Sequence, residues 1–448
     1  MSRNHSLLRV LGLSFGLAVT IGNTIGAGIL RTPGEIAGYL PNARLFLAVW
    51  VIGGVYALLG ANALSELGTM LPRSGGQFVY ARRAFGDYPA FVVGWMDWIS
   101  TCASVSAISI VIGESVASIA GLANTVAPSI AIAVVVVFTG LLWRSTKTGD
   151  RAQQVTSLVK ATALLALVVA CFMFAGRARM PAPSSIAPVA VGGFAAFLLA
   201  AQSVIYTYDG WDGPIYFSEE LADPKRQIPR SMFCGLLGIA TIYLLINVAF
   251  VRVVPTSALA GSPLAAGTVA RAIFGARGEL LVRLVVIVSL PSAVNACLLM
   301  ASRVLYAMSR DGLGIAAATR VNPGGTPVTA LFLTAAVSVA FLATRTFESI
   351  IAIAAFFFVA DYALSFAAVF LLRRREPLTP RPYRTVGHPW TTGFVLAGSL
   401  AFLISAVVSD RRNSLLALGI VVASYPMFRL RRQSSRVAVP DPSVDPYL

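Results

Sequence analysis

Apolar runs of about 20 residues, long enough to cross the hydrocarbon core of a bilayer as a helix, follow one another along this chain with short polar connections between them. Their windows predict twelve spans, at residues 7–39, 45–70, 88–120, 126–142, 155–175 and 191–221, then 231–254, 280–308, 328–343, 349–372, 390–409 and 415–428. The first and the sixth are interrupted at corresponding places. Gly22-Asn23-Thr24-Ile25-Gly26-Ala27-Gly28 breaks one, and Tyr206-Thr207-Tyr208-Asp209-Gly210-Trp211-Asp212-Gly213-Pro214 breaks the other. An unpaired backbone N–H or C=O in hydrocarbon is costly enough that irregular backbone survives there only where protein, water or a ligand satisfies it. Two matched breaks therefore predict a binding site between them.

Each broken span opens a block of five, as an inverted-topology repeat with its site at the repeat interface would. Residues 7–175 then form the first repeat, 191–372 the second, and 390–428 two appended helices, all within one transmembrane domain over 1–448. The segments 177–188 and 254–278 are rich in Pro, Ala, Gly and Ser and are read as loops.

Composition agrees with this pattern. The 448 residues are 57% hydrophobic and 12% charged, with a mean hydropathy of +0.77, which places the chain among all-α integral membrane proteins and leaves no room for a soluble domain. The tail over residues 1–6 runs straight into the first span and is not read as a removable signal peptide. A net charge of +16 raises the question of nucleic acid, and the placement of the charge answers it. The clusters Arg73/Arg82/Arg83, Arg144/Lys147/Arg151, Lys225/Arg226/Arg230 and Arg373/Arg374/Arg375 all face inward if both termini are cytoplasmic. That is the positive-inside bias of a multi-pass protein of a cytoplasmic membrane, expected to be a bacterial inner membrane. Lipid is then the bulk partner, and no nucleic acid is expected.

Cys102, Cys171, Cys234 and Cys297 fall inside spans, where thiols pack as small apolar groups, so no disulfide-linked partner subunit is expected. His5 and His388 lie in a tail and a loop. They supply neither a metal site nor a catalytic triad, and no cofactor is implied.

The breaks carry their own chemistry. The second half of span one begins near Gly28, with free N–H groups and a positive dipole end suited to a carboxylate. The half-helices ending near Ile21-Gly22 and Ile205-Tyr206 offer carbonyls and negative dipole ends suited to an ammonium group. An amino acid carries both groups on one carbon. Candidate substrate contacts are accordingly Gly22, Asn23, Thr24, Gly26, Ala27, Gly28, Tyr206, Asp209 and Gly210. Gly22 and Gly26 also match the small-xxx-small spacing of ordinary helix packing, and Tyr206, Tyr208 and Trp211 can be packing residues as readily as a lid. The clustering of Gly210, Gly213 and Pro214 in the second break favours a site.

Five stretches carry a resemblance. They are Ile21-Gly22-Asn23-Thr24-Ile25-Gly26-Ala27-Gly28-Ile29; Leu71-Pro72-Arg73-Ser74-Gly75-Gly76-Gln77-Phe78-Val79-Tyr80; Tyr208-Asp209-Gly210-Trp211 with Ser218-Glu219-Glu220; Ser302-Arg303-Val304-Leu305-Tyr306-Ala307-Met308-Ser309-Arg310-Asp311-Gly312; and Arg381-Pro382-Tyr383-Arg384. In this order the chain resembles the amino acid, polyamine and organocation transporter family, close to its bacterial amino-acid permeases and L-type exchangers. The resemblance implies a LeuT-like fold with five plus five inverted spans, broken helices one and six, and alternating access. It puts carboxylate contacts on Thr24, Gly26, Ala27 and Gly28 and an aromatic gate on Tyr206. Two positions depart from the family pattern, Ala27 where Ser is frequent and Asp212 where Asn is frequent.

Lys160 is the only lysine expected mid-span, and an ionisable group at that depth is a functional candidate by default. It resembles the span-five lysine that stands in place of a sodium ion in several relatives, either carrying a transported proton or serving as a fixed charge. Ser292 and Asn295 are the polar residues of span eight expected to meet it. Asp97, Asp209 and Asp361 also fall within spans, with a proton relay and a structural hydrogen bond both open for Asp97 and Asp361. The reading is secondary transport of an amino acid, sodium-independent, by proton coupling or exchange. The alternatives are a polyamine or cationic amino-acid substrate, a membrane-embedded enzyme and a receptor. No phosphate-binding loop is present to supply ATP energy.

Overall fold

The computed structural model describes residues 11–144, 146–178, 193–344 and 347–435, with Leu7 and Arg9, and these are organised as helices with no strands among them. In chain order the helices are α1 (Leu13–Thr24), α2 (Gly28–Tyr39), α3 (Ala43–Met70), α4 (Gln77–Phe85), α5 (Asp87–Ile119), α6 (Ala127–Arg144) and α7 (Thr146–Phe174). They continue as α8 (Gly193–Tyr208), α9 (Pro224–Val253), α10 (Thr256–Leu259), α11 (Ala265–Phe274), α12 (Ala276–Ser289) and α13 (Pro291–Arg310). The last are α14 (Val328–Thr344), α15 (Phe347–Arg375), α16 (Trp390–Ser409) and α17 (Arg411–Ser435). Among the described residues, nine helical stretches are long and apolar enough to cross a membrane, so the chain is a multi-pass membrane protein.

Local signals set the boundaries. Asn42 caps α3, its Oδ1 accepting from the N–H groups of Arg44 (2.9 Å) and Leu45 (3.4 Å). Pro291 has no N–H to give and restarts the helix as α13 where α12 ends. Gly210 adopts φ +97°, a left-handed conformation that α8 cannot continue through, and a Cβ there would meet Asn23 Nδ2 at 2.4 Å.

Both breaks lie where the sequence puts them, with different extents. Span one is interrupted only over residues 25–27, because α1 runs on to Thr24 rather than ending near Gly22. In span six α8 runs to Tyr208, and the chain continues as a 3₁₀ turn, Gly213–Phe217, instead of a second α-helix. The segment 254–278 is not the plain loop expected. It contains α10 and α11, and it packs so closely on α2 that a Cβ at Gly34 would meet Ser262 O at 2.3 Å. The connector expected at 177–188 lies outside the described residues from 179 onward, as does His5.

α3 packs along α9, α5 lies against α6, α13 and α15, α1 lies against α7, α9 and α13, and α8 against α2 and α3. The segment Arg381-Pro382-Tyr383-Arg384 belongs to this scaffold. Buried Glu66 on α3 accepts from Arg373 (2.9 and 2.6 Å), Arg381 (3.1 Å) and the Thr385 N–H (2.7 Å), while Tyr383 Oη donates to Asn62 Oδ1 (2.7 Å). Cys102, Cys171 and Cys297 are buried in helices, and Cys234 is exposed on α9.

Candidate functional site

The two breaks are tied directly to each other. Asn23 Nδ2 donates to Gly210 O (3.2 Å), and its Oδ1 accepts from Cys297 Sγ on α13 (3.2 Å). Tyr243 on α9 places its hydroxyl between Thr24 O (2.8 Å) and Thr207 O (3.2 Å). One phenol thus satisfies the end carbonyl of α1 and approaches one from α8, which answers the need for partners at a helix end in a dry interior. Tyr243 is a residue the sequence reading missed. A buried tyrosine one turn before Asn247 in an otherwise apolar span was the available signal.

On the other side of α1 stands α7. Gln153, Ser157 and Lys160 share one face of that helix, spaced at four and seven residues. Gln153 Nε2 (3.1 Å) and Ser157 Oγ (2.8 Å) both donate to Ala18 O. Lys160 is fully buried, and its Nζ donates to Gly22 O (2.9 Å) and to Ile25 O. Its partners are therefore carbonyls of the broken helix. Asn295 does reach α7, giving its Nδ2 to Gln153 Oε1 (2.9 Å), while Ser292 Oγ donates to Ser289 O across the α12–α13 junction (2.8 Å).

A cavity of about 740 Å³ opens between the breaks, within the range of roughly 300–1,000 Å³ typical of small-molecule sites. Asn23, Thr24, Gly26, Ala27, Gly28, Tyr206, Asp209 and Gly210 line it. Thr24 Oγ1 is buried without a hydrogen-bond partner. Gly26 faces open space, since a Cβ there would find only Thr24 O at 4.0 Å, whereas at Gly28 it would press on Thr207 at 3.0 Å. Gly22 is placed differently, packed against Gln153 and Ser157 of α7, and it does not line the cavity. Of the aromatic residues in the second break, Tyr206 lines the cavity. Tyr208 turns to Trp50 and Tyr243, and Trp211 stacks on Tyr362 at 5.1 Å.

The cavity wall beneath Tyr206 is acidic. Tyr362 Oη donates to Asp209 Oδ1 (2.6 Å), and Gln77 Nε2 donates to Asp212 Oδ2 (3.1 Å). Arg31, Glu35, Ser262, Asp410 and Asn413 also line the cavity, and Glu35 is exposed. Leu11 pairs with the chain after the second break through Leu11 N–Glu220 O (2.9 Å) and Ala222 N–Leu11 O (3.0 Å). Arg303 and Glu220, both with no exposure, form a bidentate pair at 2.9 and 3.0 Å. Glu219 is held by Arg310 (2.9 Å) and by Ser74 N (3.3 Å), and Asp311 by Arg73 (3.0 Å) and Arg82 (2.6 Å). These charges come from the motifs after spans two, six and eight, so their separation in sequence resolves into one seal.

The amino acid permease family model matches residues 6–424. The serine/threonine exchanger SteT of Bacillus subtilis (strain 168) is 27% identical over 432 residues, covering 95% of this chain and 98% of that protein. The b(0,+)-type amino acid transporter 1 of Mus musculus is 24% identical over 415 residues, covering 91% and 84%. The cystine/glutamate transporter of Pongo abelii is 30% identical over 328 residues, covering 68% and 62%. All are transporters or exchangers rather than enzymes, and the chain belongs to the amino acid permease family, as its five motifs led us to expect.

Proposed function

We propose that this permease moves an amino acid across a cytoplasmic membrane by alternating access, independently of sodium. The observation that carries the reading is the cavity itself, lined by the open backbone at Gly26 and by the unpartnered Thr24 hydroxyl, with Tyr206 and Asp209 opposite. The first N–H groups of α2 are those a helix leaves unpaired, and they suit the substrate carboxylate. Tyr206 covers the bound molecule. The fold is that of twelve spans with two inverted repeats, 7–175 and 191–372, followed by 390–428, both termini being cytoplasmic. On that topology the cavity opens outward and the seal at Glu219, Glu220, Arg303 and Asp311 faces the cytoplasm.

Lys160 supports sodium independence. A cation bonded to the Gly22 and Ile25 carbonyls stands where an ion would otherwise hold the unwound chain. Exchange is supported by the similarity to the serine/threonine exchanger, and a cationic or polyamine substrate by Asp209 and Asp212 on the cavity wall. The three buried cysteines and the span position of Cys234 suit a chain that works without a disulfide-linked partner. The test is counterflow in proteoliposomes loaded with each of the common amino acids and with putrescine, starting with L-serine and L-threonine. Uptake of labelled substrate that persists when choline replaces sodium is expected. Strict sodium dependence, or no flux with any of these solutes, would overturn the proposal.

A further inference from the structure

At the cavity wall and behind it lies a group of carboxylates of which only Asp212 lines the cavity. Asp97 on α5, Asp212 in the second break and Asp361 on α15 are 1%, 2% and 1% exposed. The Tyr216 hydroxyl joins the first two, donating to Asp97 Oδ1 (3.0 Å) and lying 3.4 Å from Asp212 Oδ2. Asp361 faces the charges of Asp97, Asp212 and Asp209. Neither of its oxygens has a hydrogen-bond partner, nor does Asp97 Oδ2. From α4, the Tyr80 hydroxyl is fully buried, without a partner, and faces the charge of Asp212. No Lys or Arg pairs with any of these aspartates among the described residues.

Buried carboxylates without cations or donors are not stable as anions. Like charges at close quarters cannot all ionise together, and an added proton turns an acceptor-only oxygen into the donor the group lacks. Tyr216 donates to Asp97, Gln77 to Asp212 and Tyr362 to Asp209, while Ser365 is spent on Gln77 Oε1 (2.8 Å). Thr101 Oγ1 goes to the Asp97 backbone carbonyl (2.7 Å). Protons on Asp97 and Asp361 would complete the network. A metal ion does not fit, since no His, Cys, Asp or Glu group among the described residues could hold one. A substrate ammonium reaches Asp209 and Asp212, which line the cavity, and stops there, because Tyr216 and Tyr362 line it in front of Asp97 and Asp361.

We propose that Asp97 and Asp212, bridged by Tyr216, form with the buried, unpartnered Asp361 a proton-binding site loaded from the substrate cavity and distinct from Lys160. The step balances simply. An acid proton on Asp212 Oδ2 passes to Tyr216 Oη as Tyr216 gives its own proton to Asp97 Oδ1; Asp212 becomes carboxylate, Asp97 becomes the acid, and the phenol is unchanged. The coupling role rests on the reading of the chain as an amino-acid transporter. Lys160 lies on the far side of α1, bonded to Gly22 and Ile25, and has no part in this path.

Two measurements on the reconstituted full chain test the proposal. Infrared spectra of the wild type at neutral pH are expected to show a carboxylic-acid C=O band that shrinks in Asp361→Asn and in Asp97→Asn. In vesicles, an imposed inward proton gradient is expected to concentrate L-threonine by about tenfold per pH unit for one proton per substrate, with lumenal pyranine reporting acidification. Asp361→Asn and Asp97→Asn, neither of which lines the cavity, are expected to keep counterflow and lose gradient-driven concentration. Absence of the band in the wild type, or gradient-driven concentration retained by Asp361→Asn, overturns the site. If Asp361→Asn fails to fold, Asp97→Asn and the wild-type band decide. A wild type that moves no amino acid refutes the transport reading instead, and the infrared band still decides whether the protons are there.

Discussion

Gly26 and Gly28 stand two residues apart in one break, and the structure assigns opposite consequences to filling them. Neither has a positive φ, so a side chain is not strained by the backbone at either position. At Gly26 a Cβ enters the cavity with its nearest neighbour 4.0 Å away. Gly26→Ala is expected to leave the stability unchanged or raised by the ~0.4–1 kcal/mol that a compatible Gly-to-Ala change gains from the unfolded chain. The added methyl, however, sits where the substrate carboxylate should meet backbone N–H groups. Losing one hydrogen bond to a charged group, worth about 1.5–3 kcal/mol, weakens binding roughly 10- to 150-fold. At Gly28 the new carbon lies 3.0 Å from two side-chain atoms of Thr207 and 3.3 Å from its Cα, with little room to yield. Gly28→Ala should lower stability by about 1–3 kcal/mol through overpacking. Thermal unfolding, with equilibrium binding of a labelled substrate to the folded protein, separates the two effects. Wild-type affinity in Gly26→Val, where the side chain is larger still, would refute the argument, as would equal thermal losses at the two glycines.

Three further outcomes follow from the same geometry. Tyr206→Ala is expected to weaken substrate affinity by about tenfold or more while Tyr206→Phe stays close to wild type, because the ring does the covering; equilibrium binding decides, and severe loss in Phe alone would contradict a gate. Lys160→Ala leaves the Gly22 and Ile25 carbonyls without their donor, at about 1–3 kcal/mol for each unpaired buried group, so counterflow should fall sharply in sodium and in choline alike; rescue by sodium alone would show that an ion site had been recreated. If the termini are cytoplasmic, as proposed, Glu219→Gln loosens a seal on that side at Arg310, so Cys297 on the cavity wall should react faster with a thiol reagent supplied from the cytoplasmic side in a Cys234→Ser background, and an unchanged rate would argue against that seal.

The legible part of this protein was what periodicity and breakage encode. Apolar windows located the helices, and the Gly-rich interruptions located both breaks, because an unpaired backbone in hydrocarbon must show in the sequence as residues that tolerate it. Most of the candidate contacts at the breaks do line one cavity. Gly22 does not, because α1 continues past it for two more residues, and a glycine inside a helix serves close packing, here against Gln153 and Ser157. Tertiary partners were the illegible part. The meeting of Tyr243 with Thr24 and of Gln77 with Asp212 joins residues more than a hundred positions apart, and no local pattern records it. Asn295, expected to meet Lys160, gives its Nδ2 to Gln153, seven residues before Lys160 on α7.

The occupancy of the carbonyls also bears on where a substrate ammonium can sit. Lys160 takes Gly22 O and Ile25 O, and Tyr243 takes Thr24 O, so the donors already present have claimed the end of α1 that seemed free in the sequence. The unclaimed polar groups near that break are the Thr24 hydroxyl and the leading N–H groups of α2, which favour an anion. Across the cavity, the second break brings Asp209 and Asp212 to the wall, which favours a cation. The two ends of an amino acid are then drawn to two different broken helices. A molecule held by both breaks at once can sense, and be sensed by, their relative displacement, which is what alternating access requires of a binding site.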